Sequence, residues 1–188
     1  MSELRTNRIV PRDGLPAASS GTLNGGGILQ VVYAQKKDTQ TITGSNQRDD
    51  TDISGLSFTI KPSRSSSLIL IQANIAAYVE NNQQMSFSLK ANGSIITDAI
   101  GDAGSANQKR VLASAFGNES INATWHIGTT SFTYLHAPAT TNTVTYQATL
   151  AMATNDGTSY INRSERDGDY TYYDYRTIST ITGMEVSG

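Results

Sequence analysis

Apolar and polar side chains alternate along much of the chain that follows Ile28. The clearest alternation runs through Leu68–Val79. One parity of this segment holds Ile69, Ile71, Ala73, Ile75, Ala77 and Val79. Because successive side chains of a strand point to opposite faces, a period of two predicts a strand with one buried face. Val144–Met152 repeats the pattern and predicts a second long strand.

Shorter segments of the same texture are separated by turn residues. Asn92-Gly93 is a strong hairpin signal between two of them. The further candidate strands are Ile28–Tyr33, Thr39–Thr43, Ile53–Ile60, Met85–Leu89, Val111–Phe116, Thr124–Ile127, Ser131–Leu135, Tyr160–Ile161 and Thr177–Val186. Only residues 102–116 have an alanine spacing that also fits a helix. Roughly eight to ten short strands predict an all-β fold, an antiparallel β-sandwich or jelly roll.

Composition excludes several classes of protein. The chain has 188 residues, a net charge of −2 and no cysteine, which fits one domain without a disulfide framework or a cysteine-ligated metal. The near-neutral balance excludes a strongly basic nucleic-acid binder. Leu68–Ile71 is the longest tight apolar run, far short of the ~20 residues that span a bilayer. We predict that the protein binds no nucleic acid and no cofactor and does not insert into a membrane.

The polar side chains are of an unusual kind. Serine and threonine together number 44, whereas charged residues are only 16% of the chain, below the usual ~25%. Charged side chains are the usual protection of a sheet against association. The composition therefore indicates that copies of the same chain cover part of the surface. Secreted lectins and other carbohydrate-binding domains are also rich in hydroxyls, so this alternative stays open.

The first 27 residues differ from the rest. They contain Arg5, Arg8, Arg12, Pro11 and Pro16, end in three glycines, and have too few large apolar residues to form a core. We predict an extended N-terminal arm, with an attachment peptide at 1–16 and a Ser/Gly linker at 17–27. Residues 28–188 are then the β-sandwich domain.

Both ends and the middle of the chain are similar to known proteins. Glu3–Pro16 followed by Gly25–Val32 resembles the opening of small tail-fibre-type structural proteins of bacteriophages, especially cyanophages and marine phages. Tyr160–Ser164 and Ser179–Val186 are similar to the ending of the same proteins. The segment from Ile53–Leu56 to Ile69–Ile71 resembles the core of a trimeric jelly-roll module of the C1q/TNF-like kind.

The resemblance implies a virion structural protein that is a homotrimer. Fibre proteins usually carry a long shaft and this chain has none, so a capsid decoration (cement) protein remains an alternative to a short fibre or knob. The resemblance also favours docking of the arm to another phage structural protein. Its apolar side chains would fill shallow pockets and its arginines would pair with acidic groups. The predicted docking residues are Leu4, Arg5, Arg8, Ile9, Val10, Pro11 and Arg12.

A tyrosine-rich stretch is the most unusual segment of the domain. Tyr170, Tyr172, Tyr173 and Tyr175 lie within six residues of one another. Tyrosine brings a large contact area at little entropic cost, and its ring stacks well on sugars. Interfaces between subunits are enriched in tyrosine as well. The stretch is therefore interpreted as either a trimer contact or a contact with a receptor or glycan on the host surface.

Catalysis and metal binding have little support in the sequence. The two histidines, His126 and His136, lie in different predicted strand regions, and no Gly-x-Ser-x-Gly elbow is present. We predict no catalytic residue and no enzyme activity. Two acidic clusters could supply oxygen ligands to calcium, but their spacing departs from the EF-hand pattern, so we predict solvated turns and no metal site. They are Asp49, Asp50 and Asp52, and Glu165, Asp167, Asp169 and Asp174.

Overall fold

The computed structural model describes residues 27–43, 49–80, 83–104, 107–116, 124–153 and 157–187. Within these ranges the regular structure is β-strand, apart from one 3₁₀ turn at Thr97–Ala99. The strands are β1 (Ile28–Lys36), β2 (Gln40–Ile42), β3 (Thr51–Ile60), β4 (Leu68–Val79), β5 (Gln84–Ala91), β6 (Ser94–Ile95), β7 (Ala113–Phe116), β8 (Gly128–His136), β9 (Val144–Met152), β10 (Ser159–Ile161) and β11 (Ser179–Val186). A helix of the length and apolarity needed to cross a bilayer does not occur in these residues.

The strands form two antiparallel sheets. In the first sheet the long strands lie in the order β1-β11-β4-β8, with β10 beside the far end of β4 and β2 beside β10. In the second sheet the order is β3-β9-β5, and both β6 and β7 pair with the outer edge of β5. The first and last strands are neighbours, and the chain crosses repeatedly between the sheets. This is the strand order of a jelly roll, so the predicted all-β antiparallel sandwich is confirmed.

The inner faces of the two sheets form one hydrophobic core. Every inward position of the alternation in β4 is buried, as its sequence predicts. Phe87 of the second sheet and Phe132 of the first pack with ring centroids 6.4 Å apart. Gly183 in β11 lies directly against the ring of Phe58, because a Cβ built on this glycine would come within 2.3 Å of the ring. The Phe58 ring of the second sheet therefore fills the space that a side chain at position 183 would occupy.

A buried polar pair also joins the two sheets. His136 Nδ1 of β8 lies 2.7 Å from the hydroxyl of Tyr146 in β9. Burial lowers the pKa of His136, against an opposing effect of Asp98, and burial raises the pKa of Tyr146. Both shifts favour the neutral forms that share this hydrogen bond.

The structure also tests the local predictions. Asn92 and Gly93 have φ values of 49° and 84° and turn β5 into β6, which confirms the hairpin. The prediction of a strand at Thr124–Ile127 is wrong, because this segment is a turn that pairs with no strand. The described part of 102–116 contains no helix and ends in β7. Strand β1 begins at Ile28, while residues 1–26 of the predicted arm at 1–27 lie outside the described residues.

Candidate functional site

The tyrosine-rich stretch belongs to a long connection between β10 and β11, residues 162–178, which we call the tyrosine loop. Its first residue, Asn162, is fully buried and has a φ of 62°. The Asn162 amide group donates to the carbonyl oxygens of Lys36 and Asp38, each at 2.9 Å, and its oxygen accepts from Ser179 Oγ at 2.7 Å. The buried amide thus fixes both ends of the loop to the first sheet.

One carboxylate organises the middle of the tyrosine loop. Asp174 Oδ1 and Oδ2 accept hydrogen bonds from Arg166 Nε and Nη2 at 3.0 and 2.8 Å, a two-point contact. Asp174 Oδ2 also accepts from the backbone N–H of Tyr170 at 3.2 Å. The Asp174 side chain is only 2% exposed. The Arg166 guanidinium lowers the pKa of Asp174, so the carboxylate stays charged well into the acid range.

The guanidinium of Arg166 also lies close to three aromatic rings. The Arg166 guanidinium lies 5.0 Å from the ring centroid of Tyr170, 5.7 Å from that of Trp125 and 5.9 Å from that of Tyr173. The rings of Trp125 and Tyr173 lie 5.8 Å apart. The backbone N–H of Arg166 donates to the carbonyl of Thr124 at 3.0 Å, which holds the Trp125 segment against the loop. Cation–π contacts therefore join two segments that are far apart in sequence.

An open cleft of about 430 Å³ lies between these two segments. The turn at 124–127 contributes Trp125, His126 and Ile127, and the tyrosine loop contributes Tyr172, Tyr173, Tyr175 and Thr177. Tyr172 is 78% exposed, the most of any large hydrophobic side chain described, whereas the Tyr175 hydroxyl donates to the Tyr172 carbonyl at 3.0 Å. The size and the aromatic walls are those of a small-ligand site. The structure thus brings three of the four predicted tyrosines together, while Tyr170 stacks on Arg166.

The start of the tyrosine loop packs next to two further tyrosines, Tyr78 and Tyr160, which were not among the predicted site residues. Tyr78 of β4 and Tyr160 of β10 face each other in register and stack with centroids 6.3 Å apart. The Tyr160 hydroxyl donates to Glu80, and the Arg163 guanidinium lies 4.1 Å from the Tyr160 ring centroid. Burial, together with a neighbouring carboxylate, raises the pKa of each tyrosine to about 12. The start of the loop is therefore held to β4 and β10 of the first sheet by ring contacts and hydrogen bonds.

A different kind of surface covers the solvent side of the first sheet. The strand register places Val31 opposite Met184, Met184 opposite Leu70, and Leu70 opposite Leu135, in one apolar row across all four strands. The next two rows contain hydroxyls, amides and one tyrosine. They are Tyr33, Thr182, Gln72 and Thr133, and then Gln35, Thr180, Asn74 and Ser131. We call these three rows the outer face, and no position in them is charged.

The apolar row of the outer face is open to solvent at its two edges. Val31 is 57% exposed on β1 and Leu135 is 48% exposed on β8, and Tyr33 in the next row is 57% exposed. Ile28 and Leu29 continue the apolar surface towards the start of β1, at 58% and 47% exposed. Scattered apolar residues are normal on a surface, but a contiguous patch marks an interaction site.

The other predicted residues are widely separated. The docking residues at positions 4–12 lie outside the described residues. His126 lines the cleft, whereas His136 lies between the sheets. Acidic residues of both clusters form ion pairs, among them Asp52 with Lys90 at 2.6 Å and Asp167 with Arg176 at 2.6 Å. In the described ranges no three His, Asp or Glu side chains are grouped as metal ligands.

Comparison with known proteins gives matches at the level of structure only. No protein-family model matches the sequence, and no characterised protein matches it. The chain is similar to a chain in the structure of infectious bursal disease virus Gt strain, with a TM-score of 0.46 and 10% identity over 95% of this chain and 43% of that chain. The corresponding values for the Gx strain are 0.43, 10%, 94% and 46%. The present chain thus spans less than half the length of either one.

Proposed function

We propose that this chain is a structural protein of a bacteriophage virion, a short homotrimeric fibre or knob. Its N-terminal arm docks to another phage structural protein, and its sandwich projects towards the host surface. The uncharged outer face of the first sheet is the observation that carries the self-association. The resemblance of both chain ends to tail-fibre-type proteins supplies the phage context and the role of the arm.

Two properties of the outer face favour self-association: its three rows contain no charged side chain, and it exposes large apolar side chains. Charged side chains are the common device that keeps sheet surfaces apart, and the three rows contain none. Five large apolar side chains at this side of the sheet are about half exposed, namely Ile28, Leu29, Val31, Tyr33 and Leu135. Covering them contributes roughly 4–7 kcal/mol per copy, which is comparable to the ~4–15 kcal/mol that association costs. One such face alone gains no more than association costs, so the partner must contribute apolar area of its own, which favours other copies of this chain as the partners.

Three weak attachments become strong when they are joined. A trimer presents three copies of the arm on one particle, and linked binding gains 10²–10⁴-fold in apparent affinity without new contacts. The arm can therefore be short and still retain the domain on the virion.

Removal of residues 1–16 tests the docking step. The shortened chain should keep the wild-type oligomeric state in solution but be lost from purified particles. A matched variant, with Arg5, Arg8 and Arg12 replaced by glutamine, should show a partial loss. Full incorporation of the shortened chain would contradict the docking role. The number of copies in an electron density map of the virion then separates a fibre, with few copies, from a capsid decoration protein spread over the shell.

A further inference from the structure

We propose that the cleft between the turn at 124–127 and the tyrosine loop binds a neutral saccharide. The inference rests on the proposed role at a host surface for its biological setting, although the binding itself does not require a virion. The ligand would be one or two pyranose rings of a longer glycan, which stack on Trp125 and Tyr173 and accept or donate hydrogen bonds at the rim.

The shape of the cleft fits such a ligand. Its volume of about 430 Å³ lies at the lower end of the ~300–1,000 Å³ found for small-ligand sites. Aromatic rings from two separate segments form its walls, and Trp125 and Tyr173 are tilted against each other at 55°. The faces of pyranose rings carry C–H groups, which pack on aromatic rings without the loss of a hydrogen bond.

The charges around the cleft favour a neutral ligand. The tyrosine loop carries three arginines (163, 166 and 176) against four carboxylates (165, 167, 169 and 174), which leaves it a net charge of −1. Arg166 is occupied by Asp174 in a two-point contact, and Arg176 pairs with Asp167. The rings of Trp125 and Tyr173 already hold the Arg166 guanidinium, so a cationic ligand would meet a like charge there. An anionic ligand would need an arginine that these ion pairs already occupy.

Polar atoms at the rim complement sugar hydroxyls. Tyr172 and Tyr173 are 78% and 51% exposed, and both line the cleft. Phenol groups both donate and accept hydrogen bonds, and so do sugar hydroxyls. Tyr175, whose hydroxyl donates to the Tyr172 carbonyl, adds a third phenol group to the lining. The combination of an aromatic wall and several hydroxyls is better matched to a saccharide than to the backbone of a peptide.

The fluorescence of Trp125 can be used to measure sugar binding in the cleft directly. It is the only tryptophan of the chain, so its fluorescence reports on this cleft alone. The full chain is titrated with maltotriose, cellotriose and chitotriose, and saturation-transfer NMR on the same samples shows whether ring protons contact the protein. We expect at least one of these neutral sugars to change the Trp125 emission with a Kd on the order of 1 mM, as suits a site that acts in several copies. The same sugar should receive saturation at its ring C–H protons.

Matched variants localise the site. Tyr173→Ala should abolish saturation transfer, while Thr59→Ala, at an exposed position of β3 that belongs neither to the cleft lining nor to the outer face, should leave it at the wild-type level. Near-identical circular dichroism spectra show that both variants are folded. An equal effect of the two variants would overturn the assignment of the site.

Other results of these experiments would overturn the saccharide site or the trimer separately. The inference is overturned if none of the three sugars binds at about 10 mM. It is also overturned if only an anionic sugar such as sialyllactose binds, or only a polyproline peptide. The mass of the chain, measured in the same samples, keeps the two proposals apart. A trimer that binds no sugar refutes the saccharide site alone, and a monomer that binds sugar refutes the assembly alone.

Discussion

The outer face of the first sheet and the tyrosine loop both expose large apolar side chains, yet they are built in different ways. The outer face is the solvent side of a sheet, and its apolar row exists because strands that are distant in sequence align in register, as Val31 and Met184 do. The tyrosine loop is concave, and a single carboxylate, Asp174, holds its arginine and backbone in place. An uncharged and partly apolar face suits other copies of the same chain, whereas a small cleft suits a small ligand. Changes that damage one surface should therefore leave the other intact.

The largest expected effect comes from charges placed on the outer face. The double change Val31→Glu and Leu135→Glu puts like charges at both edges of the apolar row, where burial in an interface would leave them unpaired. We expect the chain to become a monomer by light scattering while Trp125 fluorescence stays unchanged. Thr59→Glu, at an exposed position of β3 on the second sheet, is the matched control and should keep the wild-type mass. Loss of the cleft signal in the double variant would show that the two surfaces depend on each other.

The next-largest expected effect is a loss of stability when the packing between β11 and β3, on the inner side of the first sheet, is disturbed. Gly183→Ala places a Cβ 2.3 Å from the Phe58 ring, which forces β11 and β3 apart. Overpacking of this kind costs about 1–3 kcal/mol in the free energy of unfolding, measured by denaturant titration. The compensating change Phe58→Leu should recover part of the loss. An unchanged unfolding free energy in Gly183→Ala would mean that the close approach of the sheets is not needed.

Removal of the Asp174 charge should act on the tyrosine loop alone. Asp174→Asn weakens the two-point contact with Arg166, so we expect a shift in Trp125 emission and faster proteolysis within residues 162–178, with the mass unchanged. The pH dependence has a defined sign. The folded pKa of Asp174 is lowered, so its contribution is present above the ordinary aspartate pKa of about 3.9 and is lost only as the pH falls through the lower folded value. A fluorescence transition near pH 5 in the wild type would contradict this.

The smallest expected effect comes from His136. Its folded pKa is lowered, so the stability it contributes is present above the ordinary histidine pKa of about 6.5 and decreases as the pH falls below that value. We expect the Tm to decrease between pH 7.5 and pH 5, where each kcal/mol corresponds to about 2–4 °C in a chain of this size. His136→Gln should flatten this dependence. A Tm that rises on acidification would contradict the buried neutral pair of His136 and Tyr146.

The sequence predicted those parts of the fold that depend on local pattern. The alternation in Leu68–Val79 and in Val144–Met152 marked β4 and β9 to the residue, because both strands bury one continuous face. The pattern failed at Thr124–Ile127, where Trp125 and Ile127 are apolar because they line a cleft and not because they belong to a strand.

The candidate sites were only partly predictable. The tyrosines stood out by composition, but their partner Trp125 lies 48 residues before Tyr173 and no local signal connects them. The apolar row of the outer face depends on register between residues more than 100 positions apart, such as Val31 and Met184, which a single sequence does not reveal. The central role of Asp174 was likewise hidden within an acidic cluster that resembled a solvated turn.

Sedimentation equilibrium of the full chain measures self-association through the outer face without a second variable. The proposal predicts three times the chain mass of 20.1 kDa at micromolar concentration, and a single-chain mass for the variant with glutamates at positions 31 and 135. A wild-type chain that sediments as a monomer, or a double variant that remains trimeric, would contradict it.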